Sequence, residues 1–517
     1  MAGWREEGYQ RFGEGIDRTY AVDNPDFPDG AMWDATNIVY DGPADNPEAM
    51  GGYQQLGATI GGTPIITGLF DYAEGTQLVA AGGDGKIYKR TTGDFAQVTD
   101  GTGLNTTDTT RVAGTMFYGD STDANILVLA NGVDAVKKYN GSALSALGGS
   151  PPSASQFPTA FMGKLFLAKG DTIYYSVTSD CEDWTGTGSG TIQIYRGYGG
   201  DITGMYAFAG NLFIFKRTKI FRMAMAATIN EVSIEIVSPN IGTVSHHSIQ
   251  EAGPEGGGYI MFMSDSGIES LIPTDRAGSF VTRDASQPIS DLVRKRNMAV
   301  ADNTFAVYNN ERKEYYSWSP STGKTVPAWC YIANTARRRK PIRWTRADLK
   351  DMTAGTMYKL SGEYVQVVAN NAGQVFQLHV GDNRSNAGYR KYIYTRAYTQ
   401  GRPNWVKQYG WVYVSALAKG SYQITVRPVL GRVGMNQVSL GTSQSINNPG
   451  QEGWGTGQYG QAYWGGAATT GVRIRPQAAA RGNYVRMQIL TSGANEWFRL
   501  NGIQIASELG SDGPREK

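Results

Sequence analysis

Leu78-Val-Ala-Ala-Gly-Gly-Asp-Gly-Lys-Ile-Tyr-Lys89 reads as an apolar run, a Gly/Asp turn and a second run that carries an aromatic residue. Val, Ile and Tyr suit a pleated strand, while Gly and Asp supply the backbone angles that a tight reversal demands. The stretch predicts a β-hairpin.

Working outward, the same pattern returns six times. It pairs Leu127-Val-Leu-Ala with Val136-Lys-Lys-Tyr, Leu165-Phe-Leu-Ala with Ile173-Tyr-Tyr, and Leu212-Phe-Ile-Phe with Ile220-Phe-Arg. It then pairs Ile260-Met-Phe-Met with Ile268-Glu-Ser-Leu, Phe305-Ala-Val-Tyr with Glu314-Tyr-Tyr-Ser-Trp, and Val365-Gln-Val-Val with Val375-Phe-Gln-Leu. The units start 49, 38, 47, 48, 45 and 60 residues apart, close to the roughly 40–50 residues of one four-stranded propeller blade. A lone blade cannot bury both faces, whereas blades packed in a ring can, and the unbroken apolar runs fit strands buried on two sides. The reading is an all-β chain with a β-propeller of about six or seven blades. A β-solenoid, or unrelated hairpins along a sandwich, is the alternative; solenoid turns are usually shorter and more regular than these.

After about residue 385 the pattern changes. Tyr392-Ile-Tyr-Thr-Arg, Trp411-Val-Tyr-Val-Ser, Tyr422-Gln-Ile-Thr-Val, Val472-Arg-Ile-Arg, Tyr484-Val-Arg-Met-Gln-Ile and Phe498-Arg-Leu-Asn-Gly-Ile alternate apolar and polar residues, as in an antiparallel β-sandwich. The expected organisation is an extended segment over 1–60 packing on another domain or subunit, a propeller over 61–385, a sandwich over 386–508 and a polar tail over 509–517. Within 1–60, Asp23-Asn-Pro-Asp-Phe-Pro-Asp-Gly is turn chemistry and Ala35-Thr-Asn-Ile-Val-Tyr reads as one short strand. The Gly-rich loop at 449–466 carries Trp454, Tyr459, Tyr463 and Trp464, which fit either a surface loop or an interaction loop whose aromatics are buried by a partner.

Composition agrees with β structure: 67 Gly and 30 Tyr among 517 residues, with 18% charged residues. The 48 basic and 46 acidic residues leave a formal charge of +2, so the whole chain lacks the electrostatic footprint of a nucleic-acid or membrane binder. Cys181 and Cys330 are too few and too far apart for a disulfide framework or a metal cluster and are expected as free thiols. No apolar run of eighteen residues occurs and the first residues lack an apolar signal core, which predicts a soluble protein with no membrane segment that is not secreted by the usual signal.

Residues that could carry catalysis are sparse. His246 and His247, adjacent on an expected strand, would point to opposite sides and could hardly share a metal, and His379 stands alone. Ser264-Asp-Ser-Gly267 is reminiscent of the Ser-x-Asp-x-Gly turn of sialidase-like propellers, but it occurs once; Asp265 and Glu269 fit turn formation and a solvated edge better than glycoside chemistry. No phosphate-cradling loop is present, and the expectation is no catalytic residue, no cofactor and no metal. Arg337, Arg338, Arg339 and Lys340, followed by Arg343 and Arg346 around Trp344, form the densest positive run, a candidate phosphate or subunit-contact patch.

Ala35-Thr-Asn-Ile-Val-Tyr-Asp-Gly with Gly51-Gly-Tyr-Gln-Gln-Leu, the hairpins, and Ile241-Gly-Thr-Val-Ser-His-His-Ser-Ile followed by Tyr259-Ile-Met-Phe-Met-Ser-Asp-Ser-Gly-Ile together resemble the tail nozzle or tubular tail proteins, also called stabilisation proteins, of short-tailed bacteriophages. The resemblance covers most of the chain. It implies a structural virion protein of the phage tail, assembled in the host cytoplasm as a homo-hexameric ring below the portal and the head-to-tail adaptor. Its bore would retain and eject double-stranded DNA, and its sides would support tail fibres or spikes. The other function weighed is a glycan-binding or glycan-cleaving propeller in receptor recognition.

Overall fold

A computed structural model describes residues 5–509 except 25, 43, 99–102, 105–109, 119–124, 226–231, 255–257, 276–277, 338–340, 400, 403, 420–421, 432–437, 441–443, 449–467 and 475–480. The described residues are mostly β, arranged as several four-stranded antiparallel sheets and two larger ones. No helix among them is long and apolar enough to cross a membrane.

Seven units of four hydrogen-bonded strands follow one another, six of them built from consecutive strands. The first is Ile66–Tyr72, Gln77–Gly82, Ile87–Arg90 and Ala96–Gln97. The next four begin at Ala113–Tyr118, Gln156–Phe161, Ile202–Phe208 and Gln250–Ala252. The sixth is Phe305–Asn309, Glu314–Pro320, Pro327–Asn334 and Arg343–Ala347. In the seventh, Met352–Leu360, Glu363–Asn370 and Val375–Leu378 are completed by Tyr53–Gln55, which comes from before the first unit.

Six of the seven sequence hairpins are the second and third strands of their units. The sixth, Phe305–Tyr308 with Glu314–Trp318, is instead the first and second strand. Its apolar first strand imitates the signal of a second strand, which is why the last two intervals came out uneven. Counted at the second strand, from Tyr259 to Glu314 to Glu363, they become similar.

The second strands explain their own composition. In Asn125–Ala130, Leu127 and Leu129 join a core with Val79 and Ala81 of the first unit, while Ile126, Val128 and Ala130 join a core with Leu165 and Leu167 of the third. Alternate residues thus face opposite neighbours, and both sets must be apolar. Phe166 and Ala168 pack with Leu212 and Ile214, Phe213 and Phe215 with Ile260 and Phe262, and Met261 and Met263 with Tyr315. Tyr316 and Trp318 pack with Val368, and Val367 and Ala369 pack with Leu78 and Ala80. Each unit therefore shares a core with the next, and the seventh shares one with the first. Full burial of each Val, Leu, Ile, Phe or Met among them contributes about 1.5–3 kcal/mol, and of each Ala less.

The sixth unit continues sideways into an 11-stranded sheet through Ala31–Thr36, Lys391–Thr395, Tyr484–Thr491 and Tyr422–Gly431. A 7-stranded sheet contains Lys407–Lys419, Trp497–Leu509, Ala468–Ile474, Pro47–Ala49 and Ile38–Tyr40, with Arg5–Gln10 paired to Trp497–Leu509. Val412, Val414, Leu500 and Ile503 of the smaller sheet share one core with Ile393, Val426, Val485 and Ile489 of the larger.

Residues before 61 pack into sheets formed with later parts of the chain. Phe12, Ile16, Met32, Ala35 and Ile38 are buried, and their strands enter three sheets. The strand expected over 35–40 is broken at Asn37, which takes a left-handed φ of 58°. Its amide donates to the Arg390 carbonyl at 2.6 Å, and its side-chain oxygen accepts from Arg384 at 2.6 Å and from the Asp348 N–H at 3.1 Å. Asn tolerates this conformation because a short polar side chain can bond locally. Cys181 and Cys330 are buried and form no disulfide.

Candidate functional site

The first strands of the units lie side by side: Met352–Leu360 against Ile66–Tyr72, that strand against Ala113–Tyr118, and so on through Gln156–Phe161 and Ile202–Phe208. Several share a local motif. Ile66-Thr-Gly68, Ile202-Thr-Gly204 and Met352-Thr-Ala354 each shift register at the threonine, so that an extra residue bulges from the strand. The bulged hydroxyls of Thr67, Thr203 and Thr353 donate to the equivalent second-strand carbonyls of Ala81, Phe215 and Ala369 at 3.2, 3.4 and 3.4 Å. Thr353 also donates to the Ile66 carbonyl of the neighbouring unit at 2.7 Å. Glycine beside the bulge permits close approach: a Cβ on Gly204 would lie 2.7 Å from Ile249 Cδ1, and one on Gly355 would lie 2.7 Å from Val307 Cγ2.

These strands enclose two adjoining cavities of about 320 and 360 Å³. Arg111, Ala113, His246 and His247 line both, so they stand at the boundary between them. Arg111, just before the second unit, reaches across to the sixth and seventh. It donates to the Asn303 carbonyl at 3.0 Å, to Asn303 Oδ1 at 3.4 Å and to the Thr353 carbonyl. Burial lowers its pKa to about 10, with Asp302 opposing the shift.

The two histidines do not lie on a strand, as the sequence suggested. His246–Ser248 is a single 3₁₀ turn, and the two imidazoles are 5.4 Å apart, centroid to centroid. Phe157 of the third unit packs on His246 at 4.9 Å. Desolvation pushes His246 down to about 4, against a backbone hydrogen bond at Met205, and desolvation, then His246 and Arg111, push His247 well below the usual imidazole range. Both are neutral at pH 7. No group of three or more His, Cys, Asp or Glu that could hold a metal is found among the described residues.

No family model matches the chain, and no curated protein matches it. Among solved structures it is similar to the crystal structure of the computationally designed Ika8 protein, at 12% identity and a TM-score of 0.35, over 63% of this chain and 100% of that one. A likeness of that size bears on neither fold nor function.

The other sequence candidates fall elsewhere. The Ser264–Gly267 turn is internally bonded: Ser264 Oγ accepts from the Gly267 N–H at 3.1 Å, and Arg296 donates to the carbonyls of Ser264, at 2.7 Å, and Asp265. The Asp265 carboxylate pairs with Arg217 at 2.6 Å, tying the fifth unit to the fourth. Glu269 is buried, accepts from Ser266 Oγ at 2.9 Å, and has its pKa raised by desolvation. His379 Nε2 lies 2.9 Å from Tyr316 Oη, far in sequence from the histidine pair and outside both cavities.

In the basic run, Arg337 donates to the Gly13 carbonyl at 2.7 Å and pairs with Glu14 at 3.1 Å. Arg338, Arg339 and Lys340 lie outside the described residues, as do Trp454, Tyr459, Tyr463 and Trp464. Arg343 is buried against the Tyr40 ring, 4.1 Å from its centroid, and donates to the carbonyls of Gly42 at 2.7 Å and Ala44 at 2.5 Å. Arg346 bonds Asp34, Thr36 and Tyr392. These three arginines fasten the early strands to the sixth unit. The threonine bulges and Arg111 were missed by pattern reading; the recurring Ile-Thr-Gly at 66–68 and 202–204 was the signal available for the bulges.

Proposed function

We propose that the seven units form a closed seven-bladed β-propeller, fused to a β-sandwich, and that the chain is a structural subunit of the tail nozzle of a short-tailed bacteriophage. The cycle of shared cores, in which the seventh unit packs on the first and takes its outer strand from the other end of the repeat, carries the propeller reading. Such closure removes all but short edges. The nozzle reading rests on the resemblance of the Ala35–Gly42, Gly51–Leu56, Ile241–Ile249 and Tyr259–Ile268 stretches, together with the hairpins.

Arg111 spans the space between opposite units, so duplex DNA would not run through the middle of one chain. The bore belongs between subunits, in a ring of about six closed by a heterologous interface. A near-neutral chain suits such a conduit, because every phosphate neutralised by Lys or Arg would hold the cargo back. The ring would meet the adaptor on one side and fibres or spikes on others, with the loop at 449–466 at its tip. Its work in the virion is non-catalytic: Asp265 has a structural ion pair and Glu269 a buried hydrogen bond to its own turn.

One observation favours the glycan reading. Tyr195 and Tyr198 are exposed and, with Arg196 and Ile236, line an open depression of about 430 Å³ suited to stacking against a sugar ring.

Native mass measurement of the purified protein, alone and with candidate adaptor and fibre proteins, separates the two. Rings of about six copies, formed alone or on the adaptor, are the expected outcome. A persistent monomer that joins no tail complex and depolymerises a bacterial polysaccharide would replace this reading with the glycan one.

A further inference from the structure

We propose that the cavity between Arg111 and the His246–His247 turn is a binding site for a small oxyanion of the carboxylate or phosphate class. The two cavities converge on these three side chains, and the larger is also lined by Gln156 and Asp302. A guanidinium carries five N–H donors, of which Arg111 directs three at Asn303 and Thr353. Two remain for a ligand. His246 Nδ1 is buried without a partner and, with the ring's one N–H turned to the Met205 backbone, can accept from the O–H of a protonated oxyanion such as monobasic phosphate.

The electrostatics favour an anion. Arg111 has no carboxylate within ion-pair distance among the described residues; Asp302 acts on it only from farther off and is itself exposed, so solvent screens it. A partly desolvated cation without a close counter-charge is costly, and a bound oxyanion would supply both the charge and the missing acceptors. Neutral His247 can donate its one N–H to the same ligand. The inference does not depend on the nozzle reading, because it concerns one chain by itself.

The test uses the full chain with ¹³C-labelled histidine, titrated with inorganic phosphate and, separately, with acetate, at pH 7 and constant ionic strength. Only three imidazole signals exist. Two, from His246 and His247, should shift saturably while His379 stays fixed; which titrant acts at lower concentration says whether phosphate or carboxylate is preferred. Arg111→Gln should weaken binding by at least about tenfold, the value of a charge-assisted hydrogen-bond pair. Asp302→Asn should strengthen it a few-fold by removing the screened opposing charge. An unmoved His379 signal certifies that each variant is folded, and if Arg111→Gln disturbs it, Asp302→Asn and His247→Gln carry the test. The absence of any saturable shift, equal shifts of all three histidines, or weaker binding in Asp302→Asn would overturn the proposal.

Discussion

Thr353 shows how one side chain serves both a strand and its neighbour. Its hydroxyl bonds the Ala369 carbonyl within the seventh unit and the Ile66 carbonyl of the first, and the side chain is buried. Val keeps the shape but leaves these acceptors without that donor, a loss of about 1–3 kcal/mol, whereas Ser keeps the hydroxyl. Thr353→Val is therefore expected to lower the denaturation midpoint clearly and Thr353→Ser much less; equal losses in the two variants would assign the effect to packing and not to the bond. The threonines were hard to find in the sequence because a bulge sets two residues against one and cancels the period-two pattern by which strands are recognised. His246 and His247 were misread for a related reason: a single 3₁₀ turn has no periodicity of its own, so it was absorbed into an expected strand.

Hairpins were the most legible elements, since an apolar run, a Gly/Asp turn and a second run are contiguous. Leu127–Tyr139 and Leu165–Tyr175 announce themselves, but the partner of Val375–Leu378 lies more than three hundred residues earlier, at Tyr53–Gln55, and nothing local points to it. That short strand completes the seventh unit. The Leu56 N–H bonds the Val375 carbonyl at 2.8 Å, and by the two-residue alternation of an antiparallel ladder Gln54, opposite Gln377, also turns its N–H toward the partner. Proline there removes the donor from a strand whose loss would open the contact between first and last units. Gln54→Pro is expected to cost about 1–3 kcal/mol, read as a lower apparent melting temperature and earlier proteolysis, while Gln54→Ala, at an exposed position, stays within about 0.5 kcal/mol. A proline variant as stable as the alanine one would show that the strand adds little.

At the scale of the molecule, the boundaries read from sequence mark changes of pattern and not breaks in hydrogen bonding. The alternation after residue 385 predicts a different kind of β structure, yet the 11-stranded sheet runs from the sixth unit through Ala31–Thr36 into Lys391–Thr395 without interruption. Arg346, on the last strand of the sixth unit, clasps that joint by bonding Asp34 and Thr36 on one neighbour and Tyr392 on the next. One hydrophobic cluster also spans the joint, holding Tyr315 and Trp344 of the sixth unit together with Ile393, Val426 and Ile489. Neither part can unfold without exposing the other's core, so the two are expected to melt as one cooperative unit, although chains of this length usually divide into independently melting domains. Scanning calorimetry should give a single endotherm. Arg346→Met leaves Asp34 without its ion-pair partner though still bonded by Tyr392, a loss of about 3 kcal/mol for a largely desolvated pair, and should move that endotherm down in temperature as one peak. Two resolved endotherms in the unaltered protein, or a stable proteolytic fragment spanning about 61–385, would show that the continuous sheet does not couple them.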